Sequence, residues 1–264
     1  MLTHLTHFAV FVLGGALATA GVVETLPHSS DAAPQREISI LVDSVARPAM
    51  HDAIAAFESA HPGVVVDARF AGSRVIAEQL RLGAQPDAVV LPSREARAAG
   101  TMLSGVTPAF SDHTAIVVSM AARERIRDAG DLARPGVRLG VGRAGTALSE
   151  LDDATAARLA YAQPPDFRDR LAANVAEEEH DTQRGSLVDA IAAGTVDAAI
   201  MFASDVVPGK SVEVALPPSV RITRSESAAV VRGTANAQLA RAFVEMLGSS
   251  RGAAIFKAHG HDES

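Results

Sequence analysis

The sequence RDAGDLARPGVRLGVGRAG, residues 127–145, is the stretch that decides how this chain folds. A break at Pro135 and Gly136 separates a short helical turn from a predicted strand at 137–141, and a glycine-rich loop then opens the next helix. The first N–H groups of a helix have no partner within it, so such a junction directs several backbone donors toward one point. The stretch therefore predicts an anion-binding turn at a helix N-terminus.

Two similar junctions occur earlier in the chain. A predicted strand at 38–42 runs into Ser44 and then a helix, and a second strand at 64–70 runs into Ser73 and another helix. Three junctions of strand, small-residue loop and helix predict a binding cleft lined by helix N-termini.

The composition excludes several classes of protein. The 264 residues suffice for one large domain or two lobes. A net charge of −7, spread along the chain, argues against nucleic acid or an acidic membrane surface as the partner. The chain has no cysteine, which excludes disulfides, thiolate catalysis, zinc–thiolate sites and a lipid anchor on an N-terminal cysteine.

The N-terminus is typical of an export signal. The apolar run FAVFVLGGALATA at residues 8–20 ends in a small-x-small tripeptide, which predicts a signal peptide at 1–20. A disordered leader rich in Pro and Ser is predicted at 21–36. The alternative is an uncleaved membrane anchor, but the apolar run at 8–23 is shorter than the ~20 residues of a span and contains several glycines. We therefore expect a periplasmic or otherwise extracytoplasmic protein.

From Glu37 onward, predicted strands and helices alternate, which indicates an α/β fold with right-handed crossovers. The acidic run Glu177-Glu178-Glu179 interrupts this pattern and is predicted to be a solvated loop, or the rim of the cleft. The predicted strands are residues 38–42, 64–70, 87–91, 114–120, 137–141, 198–202, 212–216 and 228–231.

Several segments of this region resemble the periplasmic molybdate-binding proteins of ABC importers, which have the type 2 solute-binding fold. The segments stand in the family's order and spacing, and the resemblance covers residues 37–261. They read ISILVDSV, AIAAFESAHPGVVVDARFAGS, LGAQPDAVV, AGDLARPGVRLGVG, VDAIAAGTVDAAIMFASD and ARAFVEMLGSSRGAAIFKAHG.

The resemblance implies a two-lobed periplasmic-binding-protein type 2 fold, each lobe a mixed, mostly parallel sheet flanked by helices. The chain would cross between the lobes near residues 110–115 and again near 221–228. Lobe one would then comprise residues 37–108 and 225–264, and lobe two residues 109–224.

The resemblance also implies a site. Members of that family hold an oxyanion without positive charge, through two serine hydroxyls, backbone amides and a tyrosine hydroxyl. Ser44 and Ser73 match the two serines, Ala147 matches a residue that offers its N–H at a helix start, and Gln183 matches an amide donor. Phe202 stands where the family has tyrosine, so one donor is missing.

These residues also have a simpler interpretation. Serine is a preferred N-cap, so residue type alone favours capping for Ser44 and Ser73, whereas the resemblance favours ligand binding. For Ala147 and Gln183 the two interpretations stay balanced.

Charged residues near the predicted cleft depart from the family pattern. Asp43 directly precedes Ser44, and a carboxylate within about 4–6 Å of a dianion repels it unless the carboxylate is paired or protonated. Arg74, directly after Ser73, is the best candidate for altered ligand chemistry. We expect that one arginine of this region pairs with Asp43 or reaches the ligand, and the candidates are Arg47, Arg74, Arg143 and Arg184. The alternative for each is a solvated charge at a helix start, which we favour for Arg143.

Other patterns carry less information. The H-x-H pair His259 and His261 near the chain end is expected to be a solvated tail rather than a metal site. No GxSxG, P-loop or HExxH pattern occurs in the sequence. We therefore expect neither a cofactor nor a bound metal cation.

The sequence thus predicts a solute-binding protein, not an enzyme, that captures a small oxyanion between two lobes. Molybdate or tungstate is the first expectation, with an ABC permease as the membrane partner, no nucleic acid, and a monomeric state. Two alternatives stay open. One is an enzyme or sensor that reuses the fold, for which Asp43 is the evident general base; the other is a binding protein for a different small organic anion.

Overall fold

The computed structural model describes residues 36–142, 147–179 and 185–263. The predicted signal peptide at 1–20 and all of the predicted leader except Arg36 lie outside these ranges. Within them, no helix is both long enough and apolar enough to cross a bilayer.

Strands and α-helices alternate through the described ranges, as the sequence predicts. The strands are β1 (Arg36–Asp43), β2 (Val64–Ala71), β3 (Ala88–Pro92), β4 (Leu103–Ser119), β5 (Leu139–Gly142), β6 (Val175–Glu179), β7 (Ala198–Phe202), β8 (Ser211–Val214) and β9 (Thr223–Val231). The helices are α1 (Arg47–Ala60), α2 (Ser73–Arg81), α3 (Ser93–Ala98), α4 (Ala147–Ala160), α5 (Phe167–Ala173), α6 (Gly185–Ala193), α7 (Ala237–Leu247) and α8 (Ser250–Ala258).

The strands pair in the order β2-β1-β3-β9-β4-β7-β5-β6, with β8 also paired to β4. Parallel pairs occur at the two ends of this order, where β1 joins β2 and β3, and β5 joins β6 and β7. In the middle, β4 and β9 run antiparallel to each described neighbour. The predicted mixed α/β fold is confirmed, although parallel pairs are not the majority because these two strands oppose their neighbours.

Strand β4 spans 17 residues and belongs to both halves of this order. Its residues 103–113 pair with β9, whereas residues 114–119 pair with β7 and β8. The sequence predicted only the second half of β4 as a strand, because Gly105 and Pro108 are typical of turns. The pairing register of the first half with β9 shifts near both residues. The predicted boundaries of the lobes remain a prediction.

Each half of the strand order is covered by helices on both faces. Ile38 and Val42 of β1 pack with Phe57 and Phe243 on one face, while Leu41 packs into a separate cluster on the other. This alternation follows from the two-residue period of a strand. Burying one such side chain contributes about 1.5–3 kcal/mol, so these layers fix the position of the β1 carboxyl end.

The second half has a matching pair of layers. Ile116 and Leu139 lie in one cluster, and Val117, Leu187 and Met201 lie in the other. The second half of β4 and the strands β5 and β7 are thereby buried on both faces, as their apolar sequences predict.

The acidic run is a strand and not the predicted solvated loop. Glu177, Glu178 and Glu179 end β6, which pairs in parallel with β5 at the edge of the strand order. That prediction was wrong because an edge strand needs a backbone partner on one side only, and charged side chains are common there.

Candidate functional site

The two predicted serines follow neighbouring parallel strands. Asp43, the last residue of β1, pairs with Ala71, the last residue of β2, so Ser44 and Ser73 follow at the same edge of the sheet. Ser44 opens a 3₁₀ turn that leads into α1, and Ser73 is the first residue of α2. The carboxyl ends of parallel strands are the usual place for a ligand in α/β folds.

Neither serine caps its helix. Asp43 caps the turn instead, accepting a hydrogen bond from the Val45 N–H at 3.0 Å. The N-cap of α2 is Gly72, and no side chain caps that helix. In the part of the chain that the structure describes, the hydroxyls of Ser44 and Ser73 make no hydrogen bond, and both residues are partly exposed. Capping therefore does not account for either serine.

Asp43 has a partner that the sequence did not reveal. The carboxylate is buried, with 4% of the residue exposed, and it pairs with the Arg224 guanidinium on β9. The same guanidinium donates from Nε to Glu226 Oε1 at 2.6 Å. We name Asp43, Arg224 and Glu226 the hinge-edge cluster, because they join the end of β1 to β9. The sequence analysis missed Arg224 because it lies 181 positions from Asp43.

Two of the four arginines predicted near the cleft lie within the described residues. Arg47 lies over the ring of Phe70, with its guanidinium carbon 4.3 Å from the ring centroid, which is a cation–π contact. Arg74 is exposed at the second position of α2. Arg143 and Arg184 lie outside the described residues.

Glu226 has a raised pKa. Burial raises the pKa of Glu226 to about 8 against the attraction of Arg224, and the negative charges of Asp43 and Glu95 add to the rise. Burial would lower the pKa of Arg224, but its two carboxyl neighbours raise it overall.

The second group of predicted donors is described in part. Helix α4 begins at Ala147, in agreement with the expected helix start, whereas the loop before it and Gln183 lie outside the described residues. Phe202 ends β7 with 6% of its surface exposed. It pairs with Thr114 of β4, two residues after Asp112, which pairs with Arg224. Phe202 and Arg224 of the hinge-edge cluster therefore pair with β4 at positions two residues apart.

The end of the described chain returns to β4. Ser111 and Asp262 exchange two backbone hydrogen bonds, of 3.0 and 2.8 Å. His113 on β4 contacts Asp262 Oδ2 at 2.6 Å through Nδ1 and Glu213 Oε1 at 3.2 Å through Nε2. Asp262, near the end of the described chain, therefore packs on β4.

The two residues of the H-x-H pair contact different elements. His261 is buried with its ring tilted by 50° against that of Phe110 on β4, the centroids 4.5 Å apart, whereas His259 pairs with Asp52 of α1 at 2.8 Å. The prediction of a solvated tail was therefore wrong for His261. Among the described side chains, no group of three or more His, Cys, Asp or Glu is placed to hold a metal ion.

A cavity of about 560 Å³ lies elsewhere, against β5, α4 and α5. Its walls are mainly apolar, with Leu139, Val141 and Ile200 beside the charged Arg168 and Asp169. Because neither predicted serine lines it and its walls are apolar, we do not assign it to an anion.

Comparison with known proteins agrees with this architecture. Residues 38–262 match the family described as bacterial extracellular solute-binding protein, and the chain belongs to that family. One relative, the molybdate-binding protein ModA of Mycobacterium bovis, is 28% identical over 264 residues, covering 94% of this chain and 95% of the relative. The protein is thus a binding protein and not an enzyme.

Two solved structures share its fold. The substrate-binding domain of a proposed molybdenum ABC transporter from Clostridium difficile superposes with a TM-score of 0.70 at 18% identity, covering 86% of this chain and 99% of that domain. The periplasmic molybdate-binding protein of Azotobacter vinelandii gives a TM-score of 0.66 at 17% identity, with coverage of 86% and 99%. The predicted periplasmic-binding fold is confirmed.

Proposed function

We propose that this protein captures a small oxyanion, molybdate or tungstate first, and delivers it to the permease of an ABC importer. The observation that carries this proposal is the pair of hydroxyls on Ser44 and Ser73, which are uncommitted among the described residues and follow two adjacent parallel strands. The names of the relative and of the two structural neighbours support the choice of anion and of partner.

Neutral donors suffice for such an anion when the fold holds them in place. A tetrahedral dianion accepts several hydrogen bonds, and each bond from a hydroxyl to a charged acceptor contributes about 1.5–3 kcal/mol. Backbone N–H groups at the starts of helices add favourable potential. Ser44 and Ser73 would supply one set of donors, and the N–H of Ala147 with the amide of Gln183 would supply the other.

Donors on two sides of a ligand favour a closed form of the protein. A ligand that contacts both sets binds the closed form more tightly, and its binding energy shifts the equilibrium toward closure. In this proposal a monomer, exported by a signal peptide at residues 1–20, acts outside the cytoplasm and presents its closed form to the permease.

Isothermal titration calorimetry on the chain without residues 1–20 tests this function. We expect heat and thermal stabilisation with molybdate or tungstate, because a ligand that binds only the native state raises its melting temperature. Ser44→Ala and Ser73→Ala should each weaken binding by about tenfold to a hundredfold. Ser250→Ala is the matched control, because Ser250 also opens a helix but lies on α8. If molybdate, tungstate, sulfate and phosphate all give no heat, the oxyanion assignment is wrong.

A different small organic anion is the second candidate. The absence of a tyrosine hydroxyl at Phe202 and the charged pair Asp43 and Arg224 beside Ser44 both favour a ligand with additional polar groups. The same titration with small carboxylates and phosphate esters separates the two candidates, because only one class should reach saturation.

A further inference from the structure

We propose that Glu226 retains a proton in the folded protein and that this proton raises the affinity of the neighbouring Ser44 loop for an anion. The effect on anion affinity rests on the proposed function. The retained proton of Glu226 concerns the unliganded protein and can be tested without any ligand.

The geometry of the hinge-edge cluster gives the first argument. One guanidinium serves two carboxyl groups, since Arg224 reaches Asp43 through Nη2 and Glu226 through Nε. Both carboxyl groups are buried, Asp43 with 4% and Glu226 with 1% of the residue exposed. Two buried negative charges on one cation leave an uncompensated charge, which is costly in a protein interior.

Unpartnered oxygens give the second argument. Within the described ranges, Oε2 of Glu226 and Oε2 of Glu95 are both buried without a hydrogen-bond partner. Glu95 lies in the first turn of α3, and the start of α3 is held against β9 by the hydroxyls of Ser93 and Ser227, which are 2.7 Å apart. An ionised carboxylate would leave such an oxygen without compensation, whereas a protonated one carries no charge there.

Among the residues that the structure describes, the remaining neighbours named here do not supply a second cation. On β1 the facing group is Asp43, on α3 it is Glu95, and on β4 it is Asp112, which pairs in register with Arg224. Asp112 accepts from the Ser204 hydroxyl at 2.6 Å and lies 3.4 Å from His261. The two β3 residues that pair with this part of β9 are Pro92 and Leu91, which have no charge. The rise of the Glu226 pKa to about 8 agrees with this count of charges.

The proton would act on the ligand through Asp43. Asp43 both pairs with Arg224 and accepts the Val45 N–H beside Ser44, so the charge of the cluster lies next to the predicted anion. When Glu226 is neutral, the positive charge of Arg224 balances the negative charge of Asp43. When Glu226 loses its proton, the cluster gains a negative charge and repels a dianion. We expect this repulsion to weaken the binding of the anion by about threefold to tenfold.

The first experiment measures the affinity for molybdate between about pH 7 and about pH 9.5 at constant ionic strength. We expect the wild-type affinity to fall about threefold to tenfold over this range, while Glu226→Gln keeps the affinity that the wild type has at pH 7. Glu245→Gln, at an exposed position on α7, should behave as wild type. A wild-type affinity that does not change, or an equal fall in Glu226→Gln, overturns the proposed link to the anion.

The second experiment uses the protein without ligand. A carboxyl whose folded pKa is raised binds more protons in the folded state, so folding stability falls as pH rises from the unfolded value of 4.5 to about 8. The melting temperature of the wild type should therefore fall relative to that of Glu226→Gln over this window. A constant difference overturns the retained proton itself. If this difference appears but no anion binds at any pH, the proposed function fails while the protonated Glu226 stands.

Discussion

Arg224 on β9 pairs with Asp43 at the end of β1, although the two residues are 181 positions apart in the chain. The contact joins the loop that carries Ser44 to a strand that pairs with β4 along residues 223–231. The loop of Ser44 and the middle of the sheet are therefore linked by this ion pair.

Removal of this cation should destabilise the fold. Arg224→Met leaves Asp43 and Glu226 buried without their partner, and we expect a loss of about 1–3 kcal/mol in the free energy of unfolding, below the value for a fully buried pair because a quarter of the Arg224 side chain is exposed. Urea unfolding measures the loss. Arg241→Met, at an exposed position on α7, is the control and should change stability little. An equal loss in both variants would contradict the role of the pair.

Neutralising Asp43 should tighten the binding of an anion. Asp43→Asn keeps an oxygen that accepts the Val45 N–H but removes the negative charge, so Arg224 gains net positive potential beside Ser44. We expect an affinity for molybdate about threefold to tenfold higher than in the wild type, measured by calorimetry. Asp43→Ala removes the same negative charge and should tighten binding equally. It also removes the side chain that caps the turn, which should cost about 1 kcal/mol of stability. Weaker binding in Asp43→Asn would show that the carboxylate itself contacts a cationic part of the ligand.

The histidine on β4 should make stability depend on pH. Burial lowers the pKa of His113, but hydrogen bonds and charge from Asp262 and Glu213 outweigh it and raise the pKa above 6.5. The stabilisation is therefore fully present below pH 6.5 and is lost as pH rises through the folded pKa. Urea unfolding of the wild type and of His113→Gln at a series of pH values should show the two curves converging toward alkaline pH. If the stabilities of the two proteins stay the same distance apart at every pH, the raised pKa of His113 is wrong.

Gly140 lies close to a buried side chain of α6. A Cβ atom at Gly140 would lie 2.1 Å from Leu187 Cδ1, so in Gly140→Ala the end of this buried side chain has to shift, and we expect a loss of about 1 kcal/mol in the free energy of unfolding. Gly185→Ala is the matched control, because within the described ranges no atom lies within 4 Å of a Cβ there and the residue opens the same helix. Thermal unfolding compares the two variants, and equal melting temperatures would count against tight packing at β5.

Local patterns were enough to predict the serine positions. Ser44 and Ser73 each follow an apolar strand and open a helical segment, and both properties are visible within about ten residues of sequence. The exact strand ends then depend on pairing, and the parallel register of Asp43 with Ala71 confirms that the two loops are neighbours.

Contacts between distant segments could not be predicted in this way. Arg224 and Glu226 alternate with small residues and suggest an exposed loop, and only the neighbouring strands reveal that Glu226 is buried and Arg224 half-buried. The acidic end of β6 misled for the same reason, since backbone pairing with β5 compensates for side chains that disfavour a strand. In both cases the deciding partner lies on another element.

The packing of His261 and Asp262 on β4 matters for how the protein is handled in the laboratory. Because Asp262 pairs with Ser111 and His261 is buried against Phe110, an affinity tag or dye fused just after residue 263 would lie within a few residues of β4. A chain truncated before His261 would lose both contacts. Reporter groups are therefore better placed on the exposed face of α7, for example at Arg241.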